Sequence, residues 1–168
     1  MTLLQILGGA VGVVALAAAG TLLLPRHIHV ERTSFVPKAP AAILAAAAST
    51  EGYQTFNPYL STDPDLRIEP FGPNAGVGAA FRFEGKDGKG TQTVASVSAS
   101  EVHYAIDLGP MGRPKQAIKA VPDGAGAQVT WSMDADMGFN PVARIIGLFM
   151  DSMMGKTFET GLKNMAQA

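Results

Sequence analysis

The side chains able to do chemistry are few, and the three histidines come first. His27 and His29 are spaced to project from one face of a strand, and with His103 they offer three imidazoles for a metal ion. No carboxylate or further histidine stands at a companion spacing, so no metal site is assigned. A serine nucleophile on a strained turn needs a G-x-S-x-G segment, and none is present. His103 beside Glu101 therefore reads as a surface residue. Asp134, Asp136 and Asp151 gather near the start of the last helical segment, where carboxylates cap amide donors or meet solvent. No catalytic residue is assigned.

Phosphate and dinucleotide chemistry fail on spacing. Gly155-Lys156-Thr157 has the end of a phosphate loop, but the partner glycine would have to stand where Met150 is, and the plain reading is a helix interruption. Gly76-x-Gly78 lacks its third glycine, since residue 81 is Phe, and it enters a strand instead of opening a helix. No cofactor is expected. The chain has no cysteine, which excludes a disulfide framework, a thiolate nucleophile and a cysteine-rich zinc site. A net charge of -1 removes the clustered basic surface of a nucleic-acid binder.

What remains is apolar. Met133, Met137, Met150, Met153, Met154 and Met165 all fall on the last strand or the closing helix, where flexible thioethers fit irregular core or varied apolar ligands. Phe81 and Phe83 share one strand face, as do Val129, Trp131 and Met133.

The elements that must position these groups follow from periodicity. Leu3 to Leu24 carries no charge, and its apolar residues surround the helix on every side. It is long enough for a bilayer's hydrocarbon layer of roughly 30 Å. We expect residues 1–25 to be a transmembrane anchor. A cleaved signal peptide at Ala17-Ala18-Ala19 is the other reading, weakened because the apolar run continues through Leu24 and no Lys or Arg precedes it. Gly8 and Gly12 have the spacing of close helix pairs. Arg26, Arg32 and Lys38 follow the span, which nominally places the domain in the cytoplasm; the side of the membrane stays open.

Residues 26–168 read as one domain. Ile28 to Phe35 alternates as a strand, Pro40 opens a helix through Ser49 that Gly52 ends, and Tyr53, Phe56 and Tyr59 form a short aromatic segment under a sheet. Period two then returns over Leu66 to Pro70, Val77 to Glu84, Gly90 to Ser98, Val102 to Leu108, Gln116 to Val121 and Ala127 to Met133. Short turn segments between them favour antiparallel hairpins. Val142 to Met165 closes the chain as one long helix.

This order resembles the START-like superfamily, the SRPBCC group of polyketide cyclase/dehydrase and lipid-transport proteins and Bet v 1 allergens, in its membrane-anchored bacterial form. The matching residues are His29-Val30-Glu31-Arg32, Pro40 with Ile43-Leu44, and Gly76-Val77-Gly78-Ala79. Val129-Thr130-Trp131-Ser132-Met133, Gly147 to Asp151, and Phe158-Glu159-x-Gly161-Leu162 complete them. The chain departs from it by Tyr53, Phe56 and Tyr59 where tryptophans are usual, and by Ala46 and Ala47 where bulky aliphatics are usual, changes that enlarge or loosen the interior.

The resemblance implies an α+β helix-grip fold, an antiparallel sheet wrapped round a long C-terminal helix and preceded by one transmembrane helix. It also implies an internal apolar pocket, with Phe81, Phe83, Trp131, Met133, Met150, Met153 and Phe158 as lining candidates. The expected function is a single-pass, membrane-tethered, non-enzymatic binder of a hydrophobic small molecule or lipid. An enzyme acting on an apolar substrate and a non-catalytic envelope interaction module are the alternatives.

Overall fold

The computed structural model describes residues 3–168, with side chains of the first helix described from Gly8 onward. Met1, Thr2 and the side chains of Leu3 to Leu7, part of the expected anchor, lie outside the described residues. The first helix, α1, spans Leu3–Thr21, and its side chains from Gly8 to Ala17 are exposed. Among the described residues no helix is long and apolar enough to cross a membrane.

Seven strands make one antiparallel sheet: β1 (His27–Val36), β2 (Arg67–Phe71), β3 (Ala80–Gly85), β4 (Gly88–Val97), β5 (Glu101–Asp107), β6 (Lys115–Asp123) and β7 (Gly126–Asp136). Their order is β1-β7-β6-β5-β4-β3-β2, so the last six form a meander and β1 closes it by pairing with β7, Val30 opposite Met133. Two short helices follow β1, α2 (Pro40–Ala47) and α3 (Thr50–Gln54); α2 packs against β5, β6 and α3, and α4 (Pro141–Gln167) packs against β1 and β7.

Local chemistry sets the boundaries. Asn140 caps α4 by accepting from the amides of Val142 and Ala143, and Pro141 follows in the first turn, where its missing N–H costs nothing. Asp134 and Asp136 are on β7 and Asp151 is inside α4; all three meet solvent, and Asp136 accepts from the Gly138 amide. Gly52 does not end a helix either; it lies within α3, and a β-carbon there would strike the backbone of Ala46. The third strand begins at Ala80 and not at Val77, because Gly76 and Gly78 take left-handed φ values of 82° and 88° that break the extended run.

The core is an aromatic chain between sheet and helices. Trp131 stacks on Phe158 with ring centres 5.2 Å apart and planes 11° from parallel, and Phe56 and Tyr53 meet the same indole edge-on at 5.8 and 6.0 Å. Leu162 and Met165 extend the contact along the C-terminal half of α4. Gly161 makes the stack possible, since a β-carbon at that position would overlap the Trp131 ring. In a core this filled the indole has nowhere to move. Gly161→Val is therefore expected to cost about 1–3 kcal/mol by overpacking, measured as a lower urea midpoint at unchanged slope.

Candidate functional site

Five residues of α4 at helical spacing, Met150, Met154, Phe158, Gly161 and Met165, face the inner side of the sheet. Their burial is graded. Phe158, Gly161 and Met165 are buried, whereas Met150 and Met154 are only half covered. Opposite them stand Ile28 and Val30 from β1 and Trp131, Met133 and Ala135 from β7, and Ile28 and Ala135 are likewise half covered. The packing between helix and sheet is thus complete at the C-terminal end of α4 and less complete at its N-terminal end, the mouth, with the Trp131–Phe158 stack as floor.

Of the lining candidates, Trp131, Met133 and Phe158 are buried in the core and Met150 is at the mouth. Phe81 and Phe83 are 6.4 Å apart on β3, at the far side of the sheet; Tyr53, 5.4 Å from Phe81, links them to Trp131. Met153 does not join them, being 60% exposed on the outer side of α4.

The interior holds polar groups that the sequence reading did not select. Gln116 accepts a 3.0 Å hydrogen bond from the buried Trp131 Nε1. Beneath α2 and α3, a cavity of about 10 Å³ is bounded by Ser49, Tyr53, Phe81, Gln92 and Tyr104, among others. That is room for about one water molecule. Ala47 also borders it, and its carbonyl accepts from the Tyr104 hydroxyl at 2.8 Å. Burial pushes both the Tyr53 and Tyr104 phenols well above their ordinary pKa, so each stays protonated and can only exchange hydrogen bonds. Alternation could have revealed Gln92 and Gln116, which share the inward face with Val94 and Ile118.

Apart from the buried Asp63 and Arg144, charge is kept to the edges. Arg32 on β1 points under α4 at Gly155, where its guanidinium meets both oxygens of Asp151 at 3.0 Å and Glu159 at 3.0 Å. The helix continues unbroken through Gly155, so this glycine makes room for the guanidinium and is not an interruption. Arg26, just before β1, grips Asp136 with two 2.7 Å bonds, and His29 bonds Asp134 at 2.8 Å across the β1–β7 pair. An open depression of about 440 Å³ lies at this end of the sheet, lined by Ile28 and Ala135 together with His27, His29, Arg113, Lys115, Asp134 and Asp136. His103 is three strands from β1, with Glu101 at 3.3 Å, and does not converge with His27 and His29. Among the described residues, no cluster of three or more His, Asp or Glu is placed to hold a metal.

The family model for "Polyketide cyclase / dehydrase and lipid transport" matches residues 27–168, the whole of the sheet and α4. The chain belongs to this polyketide cyclase / dehydrase and lipid transport family. Its backbone is similar to norcoclaurine synthase from Thalictrum flavum in complex with dopamine and hydroxybenzaldehyde, at 11% identity, TM-score 0.65 and 88% coverage of each chain. It is also similar to Ara h 8.0201, at 15% identity and TM-score 0.60, covering 84% of this chain and 99% of that one. The di-domain ARO/CYC StfQ of the steffimycin biosynthetic pathway matches at 12% identity and TM-score 0.60, over 84% of this chain and 50% of that one. These likenesses show the Bet v 1-like helix-grip fold. No curated protein matches the chain in sequence.

Two expectations test the interior and edges of this family member. Gln116→Leu leaves the buried indole N–H without an acceptor and is expected to cost about 1–3 kcal/mol, with a shift in Trp131 emission. The second concerns pH. Arg26, with the Gly138 amide, holds Asp136 far below the ordinary carboxylate value of 3.8, and Arg32 lowers Asp151. Their contribution is present above that value and lost as pH falls through the depressed folded values. Hydrogen bonding to Asp134 raises His29 above 6.5, so its contribution is full below 6.5 and lost as pH rises through the folded value. Thermal scans should show a fall in Tm below about pH 4 that the double variant Asp136→Asn/Asp151→Asn flattens; an acid limb unchanged in that variant would refute the assignment.

Proposed function

We propose that this protein is a membrane-tethered binding domain for a hydrophobic small molecule or lipid, with residues 1–25 as the tether and 26–168 as the binding domain. The observation that carries it is the graded stripe on α4. Met150 and Met154 are only partly buried above the Trp131–Phe158 floor, so an apolar ligand entering there gains burial of roughly 25 cal/mol per Å². Thioethers adapt to varied apolar shapes, and the cost of entry is a displacement of the first half of α4. The family's description includes lipid transport, and norcoclaurine synthase of the same fold is seen with two small aromatic molecules. The uncharged run from Leu3 to Leu24 supports the tether.

An enzymatic reading finds less support. The titratable groups of the interior cavity are two phenols held protonated by burial, and neither supplies a base near neutral pH. The outward apolar residues of α4 are the feature an interaction module would carry, and their occupant is argued below.

Trp131 is the chain's single tryptophan and lies on the floor of the mouth, so it reports ligand entry directly. Full-length protein in mild detergent should retain lipid visible by native mass spectrometry. Added apolar ligands should shift or quench Trp131 emission, and Met154→Glu should weaken that response at least about tenfold, ~1.4 kcal/mol. A chain that carries no lipid and whose tryptophan ignores a panel of phospholipids, isoprenoids and fatty acids does not have this function.

A further inference from the structure

The first half of α4 is apolar on the side turned away from the core as well as on the side facing it. Val142, Ile145, Phe149 and Met153 fall on one line along the helix and are 63%, 45%, 61% and 60% exposed, with Ile146 beside them at 47%. The same line continues through Lys156, Thr160 and Lys163. Its outer side therefore changes from apolar to basic and polar within one turn, after an apolar run of about 16 Å at 1.5 Å per residue. Between Asn140 and Gly155 the charged residues are Arg144, which is buried, and Asp151, which is engaged by Arg32.

Arg144 ties this stripe to α1. Its guanidinium donates to the carbonyls of Leu22 and Leu24 at 2.6 and 3.0 Å and to that of Gly138 at 2.9 Å. The exit of α1 is thereby fixed beside the start of α4. Exposed Leu22, Leu23 and Phe139 lie at this junction, where Arg26 and Arg144 stand 5.0 and 5.8 Å from the Phe139 ring.

We infer that the outer stripe of α4, Val142 to Met153, rests in the lipid interface of the bilayer that holds α1. The inference rests on the tether reading. A helix that is apolar outward only next to an uncharged helix, and turns basic at Lys156, matches a bilayer boundary, with apolar side chains below the headgroups and lysines among anionic ones. A second copy of the chain or a protein partner would not require the change of character to coincide with the junction to α1.

The chain lacks cysteine, so single labels are clean. Full-length Val13→Cys, Phe149→Cys and Lys163→Cys, each carrying an environment-sensitive fluorophore, would be reconstituted in phosphatidylcholine/phosphatidylglycerol vesicles containing a bilayer-embedded nitroxide quencher. The expected result is blue-shifted, quenched emission at 13 and 149, and water-like, unquenched emission at 163. Quenching at 13 with none at 149 overturns the inference and leaves the tether standing. No quenching at either position overturns both. A label at 149 that is blue-shifted but out of the quencher's reach also overturns it, because protein then covers the stripe.

Discussion

Everything in this domain depends on how closely α4 approaches β1 and β7, and that approach rests on three missing side chains. Gly147 receives Ile28, Gly155 receives the Arg32 guanidinium, and Gly161 receives the Trp131 ring. Each contact inserts a side chain from the sheet into a gap on the helix, so helix and sheet can dock in only one register. The edge strand β1 is drawn into the same arrangement. It supplies Ile28 and Arg32 to the helix while pairing along its whole length with β7. Arg32 reaches Asp151 and Glu159 on either side of Gly155 because no β-carbon separates it from the helix backbone.

The sequence was most legible where a period repeats. Strand alternation and turn residues placed all seven strands to within a few residues, and the long closing helix was recognisable from Val142 to Met165. Close approach was not legible, because it depends on what comes from elsewhere in the chain. Gly155 looks like a break until Arg32, far away in sequence, is seen beneath it, and Gly52 looks like a stop until Ala46 is seen against it. The aspartates meet solvent as expected, and Asp136 accepts the Gly138 amide; what was not legible is that Asp134 also bonds His29 and Asp136 also bonds Arg26, partners whose positions only the folded sheet defines. Of the candidate lining, the Trp131, Met133, Met150 and Phe158 group is gathered at one place, whereas Met153 lies just past the turn of helix that separates inner from outer side.

The two halves of α4 differ in what holds them. Phe158, Leu162 and Met165 are buried and fix the C-terminal half to the aromatic core. The N-terminal half is held by its cap, by Arg144 and by the glycine contacts, and its inward methionines are only partly buried. Segments with fewer buried apolar contacts open at lower free energy than the core they adjoin. Opening confined to the first half would expose the mouth while the Trp131–Phe158 floor stayed in place.

The same segment shows apolar side chains in two directions, Met150 and Met154 inward and Val142, Ile145, Phe149 and Met153 outward. Its two charges both point elsewhere, Arg144 to the end of α1 and Asp151 to Arg32. If the outer side rests on lipid, an apolar molecule moving round the helix from bilayer to mouth passes no charged group of α4 and never has to cross water. The desolvation cost that normally opposes transfer of such a molecule through solvent is then absent. On the proposed tether, the near absence of a linker would have a physical reason too: a longer one would let the first half of α4 leave the bilayer surface.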